Sequence, residues 1–123
     1  MLEINSINNA IYLTKGDTGI INISIEGDTS GYNSLHFYVR NANSLDNVKI
    51  HITNDTGNLT EEEIAQGSVT SSNEGKNWTI QIEPAATEDL KRQKYVYDFK
   101  LKGSAGVTTF VGGGKDKTEF WVT

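Results

Sequence analysis

The sequence predicts an all-β protein, an antiparallel β-sandwich of about seven to eight strands. Short segments alternate between apolar and polar residues, and turn signals separate them every eight to twelve residues. Asn, Ser and Thr are abundant, there are twelve glycines and one proline, and such a composition favours strands and turns over helices. A closed barrel of similar size would produce the same pattern.

Length and charge narrow the class of protein further. The 123 residues fit a single domain, residues 1–123. The formal charge of −5 lacks the clustered basic residues that bind nucleic acid, so we expect no nucleic-acid partner. The chain has no cysteine, which excludes disulfides and thiolate chemistry. No apolar run approaches the roughly 20 residues that span a bilayer, so we expect no membrane insertion, and no signal peptide is visible.

The first half of the chain contains four alternating segments. Residues 10–14 alternate around two apolar positions, and residues 15–19 read as a turn. Residues 19–26 place isoleucine at every second position, residues 35–40 alternate Leu, Phe and Val with polar side chains, and residues 48–53 do the same with Val and Ile. Each segment predicts a strand with one buried face.

Residues 54–76 interrupt this rhythm. Thr60 and Glu63 have the spacing of a capping box, which predicts a short helical turn that ends by Gly67. Alternation resumes at residues 78–82, and Pro84 stops that strand because proline cannot donate to a ladder. The remaining predicted elements are a loop or helical turn at 85–93, strands at 95–101, 107–111 and 118–122, and a hairpin turn at 103–106.

The inventory of catalytic and metal-binding residues is small. His36 and His51 lie on the predicted outward face of two strands and could approach each other, but no further His or Cys completes a metal site. No serine has an evident histidine and acid partner, so we expect no enzyme activity, no metal and no cofactor. Residues 112–115 (GGGK) depart twice from the phosphate-loop pattern, which favours a hairpin or bulge there. The acidic residues 61–63 are best interpreted as a solvated loop, with calcium left open as a less favoured ligand.

The aromatic residues are mostly predicted to be core, with candidate exceptions. Trp121 alternates out of phase with Phe120 and Val122, so it is a candidate interface residue. Tyr38 and Arg40, on the outward face of one strand, form a second candidate interface.

Four stretches occur together in an order that resembles a known family. Residues 11–18 read IYLTKGDT, residues 80–90 read IQIEPAATEDL, residues 95–101 read YVYDFKL, and residues 118–123 read TEFWVT. Together they resemble the N-terminal immunoglobulin-like domain of phage baseplate upper proteins. That family has a TKGDT turn, a proline–threonine–leucine corner, a YxYD strand and a closing strand that ends in a V-T pattern. The polar insert at residues 54–76 departs from the family pattern.

The resemblance implies an immunoglobulin-like sandwich in which the matching residues have structural roles. Gly16 and Asp17 would form the first turn, and Pro84 and Leu90 the corner. The residues of the following strand that match the family are Tyr95, Tyr97 and Asp98. A tyrosine hydroxyl that bonds back to the backbone near this corner would parallel the tyrosine corner of sandwich domains.

The resemblance also implies a function. We expect a non-enzymatic structural protein of the virion, located in the tail or baseplate and assembled in the host cytoplasm. Its partners would be other phage tail or baseplate proteins, and a homo-oligomer is compatible with ring-shaped assemblies. The alternative is a β-sandwich module that binds carbohydrate or a cell surface for host adhesion, through exposed aromatic residues such as Trp121.

Overall fold

The chain folds into two β-sheets that face each other across one apolar core, so the predicted all-β sandwich is confirmed. The computed structural model describes residues 2–4, 8–112 and 118–123. Most of the hairpin predicted at residues 112–115 lies outside these residues.

The larger sheet has seven strands and carries both candidate interfaces. Its order is β1-β2-β10-β8-β4-β5, and β9 pairs with the second half of β8. These strands are β1 (Leu2–Ile4), β2 (Ile11–Leu13), β4 (Ser34–Asn41), β5 (Ser44–Thr53), β8 (Lys94–Gly103), β9 (Gly106–Gly112) and β10 (Glu119–Val122).

The smaller sheet has three antiparallel strands in the order β3-β7-β6. They are β3 (Gly19–Ser24), β6 (Gly67–Ser72) and β7 (Asn77–Ile82). One short α-helix, α1 (Glu61–Ile64), connects the edge of the large sheet to β6, and a 3-10 helix (Pro84–Ala86) leads from β7 toward β8.

The core forms from the alternate residues of both sheets, as period-two patterning requires. Phe37 lies opposite Phe99 in the β4–β8 ladder, and the two rings are 5.1 Å apart between centroids. The predicted core aromatics are all buried. They are Trp78, Tyr95, Tyr97, Phe99 and Phe120.

The structure corrects the strand count and the pairing. The described residues form ten strands, because β1 and β6 join those that alternation predicts. Strand β6 lies inside the polar insert, where only Val69 is buried, so its sequence carries almost no apolar alternation. Strand β10 pairs with β2 in parallel, which departs from the wholly antiparallel sandwich that the sequence predicts.

Two local predictions also need correction. The capping box at Thr60 and Glu63 is confirmed, but the helix ends at Ile64 with Ala65 as its C-cap, and Gly67 begins a strand. Val48 is exposed although it alternates with Ile50 and Ile52. The β4–β5 register shifts between Val39 and Arg40, which leaves Lys49 unpaired and places Val48 opposite the outward-facing Arg40.

Candidate functional site

The outward face of β4 carries a cluster of polar and aromatic side chains. His36, Tyr38 and Arg40 alternate with the core residues of the strand, so all three point away from the core. His51 comes from β5 and Lys102 from β8, the two neighbours of β4. Three adjacent strands therefore supply one cluster.

The two histidines are in direct contact. Nδ1 of His36 lies 2.8 Å from Nε2 of His51, and the rings stack with centroids 5.1 Å apart. His36 is only 4% exposed, although it lies on the outward face of its strand as predicted, so it is not the surface residue that this position suggests. Its Nε2 lies 3.2 Å from the hydroxyl of Ser34, also buried.

Burial disfavours a charge on either ring. Burial, followed by the positive charge of Lys102, lowers the pKa of His36 to about 4. Burial is also the main cause that lowers the pKa of His51, while Glu63 opposes it. The pair is therefore neutral at pH 7, and one ring can donate a hydrogen bond to the other. Within the described ranges, no three His, Cys, Asp or Glu side chains form a group that could hold a metal ion.

Helix α1 extends this arrangement by one carboxylate. Oε2 of Glu63 lies 3.6 Å from Nδ1 of His51, while its Oε1 accepts a hydrogen bond from the backbone N–H of Thr60. The bond from Thr60 is the main cause that lowers the pKa of the Glu63 carboxyl. The capping box thus places a carboxylate beside the histidine pair.

Tyr38 lies over the histidine pair. Its ring stacks on His51 with centroids 4.4 Å apart, and the guanidinium carbon of Arg40 is 4.6 Å from its centroid. Nζ of Lys102 donates to its hydroxyl at 3.2 Å. Cation–π attraction and stacking thus hold Tyr38 in one orientation.

Arg40 also binds Asp98, one of the residues singled out by the family resemblance. Its Nε donates to Oδ1 of Asp98 at 3.0 Å, and Lys100 approaches the other carboxylate oxygen at 3.9 Å. Asp98 is buried, so this pair compensates a charge that would otherwise be costly. Arg40 further donates to the carbonyl of Leu45, which fixes the tip of the β4–β5 hairpin.

A groove of about 360 Å³ opens beside this cluster, and we call it the Tyr38 groove. Its lining consists of Tyr38, Val48, Lys49, His51, Glu63 and Gln66. Gln66 accepts from the backbone N–H of His51 and so lies against the edge of β5. An exposed apolar side chain, Val48, next to a fixed aromatic ring is the composition of an interface patch.

The chemistry of this cluster suits positioning better than catalysis. Ser34, His36, His51 and Glu63 form a sequence of contacts that resembles a nucleophile with its base and acid. However, Ser34 is buried and its hydroxyl also lies 3.4 Å from the carbonyl of Lys102. A nucleophile needs a substrate within reach, and this hydroxyl is covered by its own sheet.

Trp121 belongs to a second patch on the same face of the sheet. It is half-buried, and its ring lies parallel to that of Tyr12 within 13°, with centroids 6.3 Å apart. Its indole N–H donates to Glu119 at 3.2 Å. A groove of about 310 Å³ adjoins Tyr12 and is completed by Glu3, Thr14 and Thr123.

The residues of the family-like motifs converge at one end of the sandwich. The backbone N–H of Gly16 donates to the hydroxyl of Thr87 at 2.9 Å, which joins the first turn to the corner. The N–H of Lys15 donates to the carbonyl of Thr123, and the N–H of Thr123 donates to Leu13. Three motifs distant in sequence are therefore connected by hydrogen bonds.

Of the other motif residues, Leu90, Tyr95 and Tyr97 lie in or against the core. Pro84 begins the 3-10 helix, and Leu90 packs against the core below the corner. The hydroxyl of Tyr95 donates to the carbonyl of Lys91, four residues upstream, as in a tyrosine corner. The hydroxyl of Tyr97 donates to Asn9 at 2.6 Å, and burial raises its pKa to about 12.

The first turn has the geometry that its sequence requires. Asp17 donates its N–H to the carbonyl of Thr14, which closes the turn. Gly16 has a φ of +83°, a conformation that side chains disfavour.

The sequence alone did not reveal several members of these patches. Glu63 and Lys102 join the histidine pair only because α1 and β8 flank β5 and β4. Ser34 belongs to β4 itself and lies two residues before His36, just outside the predicted strand. The outward orientation of Tyr12 could be read from its alternation with Ile11 and Leu13. Its contact with Trp121 depends on the parallel β2–β10 pairing, which no local pattern predicts.

Comparison of the chain with models of known protein families finds no match. Comparison with curated proteins likewise finds no match. Among the described residues, no helix is long and apolar enough to cross a bilayer.

Proposed function

We propose that this chain is a non-enzymatic, immunoglobulin-like module of a phage tail or baseplate that docks onto other virion proteins. The observation that carries the proposal is the hydrogen-bonded junction of the family-like motifs. Gly16 bonds to Thr87, and Lys15 and Thr123 bond to each other, so stretches that resemble the family in order also depend on one another in space.

The Tyr38 groove is the surface we assign to docking. Tyr38 is fixed by His51, Arg40 and Lys102, so little side-chain entropy would be lost when a partner covers it. Exposed Val48 supplies apolar area at the rim. Tyrosine and arginine are enriched where interfaces derive their binding energy.

The proposed location in the phage tail is tested on purified virions. Mass spectrometry and immuno-electron microscopy of purified virions, produced by a host that carries the gene, should detect the protein at the tail tip. Its absence from the particle would refute the virion role.

The docking surface is tested by comparing two charge substitutions. Val48→Asp should abolish incorporation into tails, because it introduces a charge at the rim of the Tyr38 groove. Val107→Asp alters another exposed valine, on β9, and should leave incorporation intact. Equal incorporation of both variants would exclude this groove as the docking surface. Light scattering of each variant would show whether the groove also mediates self-association.

A second candidate function, binding of carbohydrate at a cell surface, is favoured by the parallel rings of Tyr12 and Trp121. Carbohydrate binding is compatible with a location in the virion but does not require one.

A further inference from the structure

We propose that Tyr12 and Trp121, with Glu3 and Lys94, form a binding site for neutral pyranose sugars of an oligosaccharide. We call these four residues the Trp121 row. The inference rests on the second candidate function and names its ligand class and its residues.

The four side chains lie side by side across four adjacent strands. Glu3 is the cross-strand partner of Tyr12, Tyr12 of Trp121, and Trp121 of Lys94. Partners in register project from the same face of a sheet, so the row runs across the strands in the order acid, aromatic, aromatic, base. With strands about 4.8 Å apart, the row spans about 14 Å.

The two aromatic rings present surface for stacking. Their planes are parallel within 13° and their centroids are 6.3 Å apart. A pyranose held between two rings would need about 7–8 Å, two van der Waals contacts, so it cannot enter between these rings. It would stack on an outer ring face, where its C–H groups meet the negative face of the aromatic system.

The groove beside Tyr12 supplies polar partners for sugar hydroxyls. Glu3 offers carboxylate oxygens, and Thr14 and Thr123 offer hydroxyls that donate or accept. Its volume of about 310 Å³ is within the range of small-molecule sites. One apolar ring bordered by a few polar groups is the general composition of such a site.

Charge selects a neutral ligand. Lys94 lies 3.6 Å from the carboxylate of Glu119, so its positive charge is already compensated. The groove itself is lined by one carboxylate, Glu3, and by no Lys or Arg side chain among the described residues. An anionic sugar or a nucleotide phosphate would meet the carboxylate of Glu3 there.

Trp121 is held ready for binding. The hydrogen bond from its indole N–H to Glu119, which in turn pairs with Lys94, restricts the rotation of the indole. A ring that is already oriented loses less entropy when a ligand stacks on it.

Acrylamide quenching of tryptophan fluorescence measures this binding in the intact chain. Trp78 is buried, so the quenchable emission comes from Trp121. The probes are cellohexaose, maltohexaose and chitohexaose, with hexagalacturonate as the anionic comparison. At least one neutral probe should protect Trp121 from acrylamide, and the protection should saturate with a Kd below about 10 mM, a weak but measurable affinity. Hexagalacturonate should give no protection.

Three variants separate the site from a general surface effect. Tyr12→Ala should abolish protection, and Glu3→Gln should weaken it about tenfold because a charged acceptor is lost. Glu3 is exposed on a three-residue strand, so Glu3→Gln remains informative if Tyr12→Ala does not fold. Tyr38→Ala, a matched aromatic change in the Tyr38 groove, should bind as the unmodified protein does.

Several results would overturn the proposal. These are no protection by any of the three neutral probes, equal protection by hexagalacturonate, or unchanged binding in both Tyr12→Ala and Glu3→Gln. None of these results bears on whether the protein is found in virions, so the docking function is judged separately.

Discussion

Thr87 provides the most informative test of the junction between the first turn and the corner. Its side chain is fully buried, and its hydroxyl accepts a hydrogen bond from the backbone N–H of Gly16 at 2.9 Å. Thr87→Val keeps the shape of the side chain and removes the acceptor. Gly16 is exposed, so water can take over part of the lost bond. We therefore expect a loss at the low end of the usual range, about 1 kcal/mol of unfolding free energy.

The loss is measurable by two methods. For a domain of this size, about 1 kcal/mol corresponds to a Tm lower by about 3–5 °C. Hydrogen exchange followed by NMR reports the bond itself, because the amide of Gly16 should exchange faster in Thr87→Val.

The control keeps the acceptor. Thr87→Ser retains the hydroxyl but loses a buried methyl group, so its stability also falls, by about 1 kcal/mol. The exchange of the Gly16 amide separates the two variants, since only Thr87→Val should accelerate it. If the amide exchanges at the same rate in both variants, the proposed link between the two motifs is incorrect.

Three further predictions concern the turn, the histidine pair and the buried ion pair. Gly16→Ala should lower the free energy of unfolding, measured in urea, by about 1 kcal/mol, because its φ of +83° is unfavourable for alanine. No steric clash adds to this loss, since a Cβ at this position meets no other atom within 4 Å. Gly57→Ala, also without neighbours but without a positive φ, should change stability by less than about 0.5 kcal/mol. Because the pKa of His36 falls from 6.5 to about 4 on folding, the unfolded chain binds more protons between these values, and stability should fall as pH drops from 6.5 toward 4. In the double variant His36→Gln/His51→Gln, the Tm should depend less on pH over this window than in the unmodified protein. An unchanged pH profile would argue against the neutral pair. Arg40→Ala should lower the free energy of unfolding in urea by about 2 kcal/mol. This is less than the cost of breaking a wholly buried pair, because the guanidinium is partly exposed. A loss under about 0.5 kcal/mol would show that the Asp98 carboxylate is compensated without Arg40.

The sequence predicts strands well where one face is buried and poorly where none is. Strand β8 is evident from Tyr95, Tyr97, Phe99 and Leu101, because the core selects an apolar residue at every second position. Strand β6 forms because it pairs with β7 along its whole length, although only Val69 contributes to the core. Backbone pairing with a neighbour leaves almost no trace in side-chain composition.

In the candidate sites too, features of a single strand follow from the sequence, whereas contacts between strands do not. The outward orientation of His36, Tyr38 and Arg40 follows from alternation within one strand. The burial of His36 does not, because it depends on the ring of His51 from the adjacent strand β5 as well as on Tyr38 of its own strand. Contacts between strands require the sheet order, and the sequence contains no local signal for the parallel neighbour of β10.

The parallel pairing of β2 with β10 also has a mechanical consequence. Strand β1 runs antiparallel to β2, with Leu2 opposite Leu13, so a force applied to both ends of the chain would first peel β1 away. The load would then enter β2 at Ile11 and β10 at Val122, which are opposite ends of the ladder because the two strands are parallel. The hydrogen bonds of this ladder would bear the load together in shear instead of opening one by one, and the short ladder would act as a clamp that resists extension of the chain.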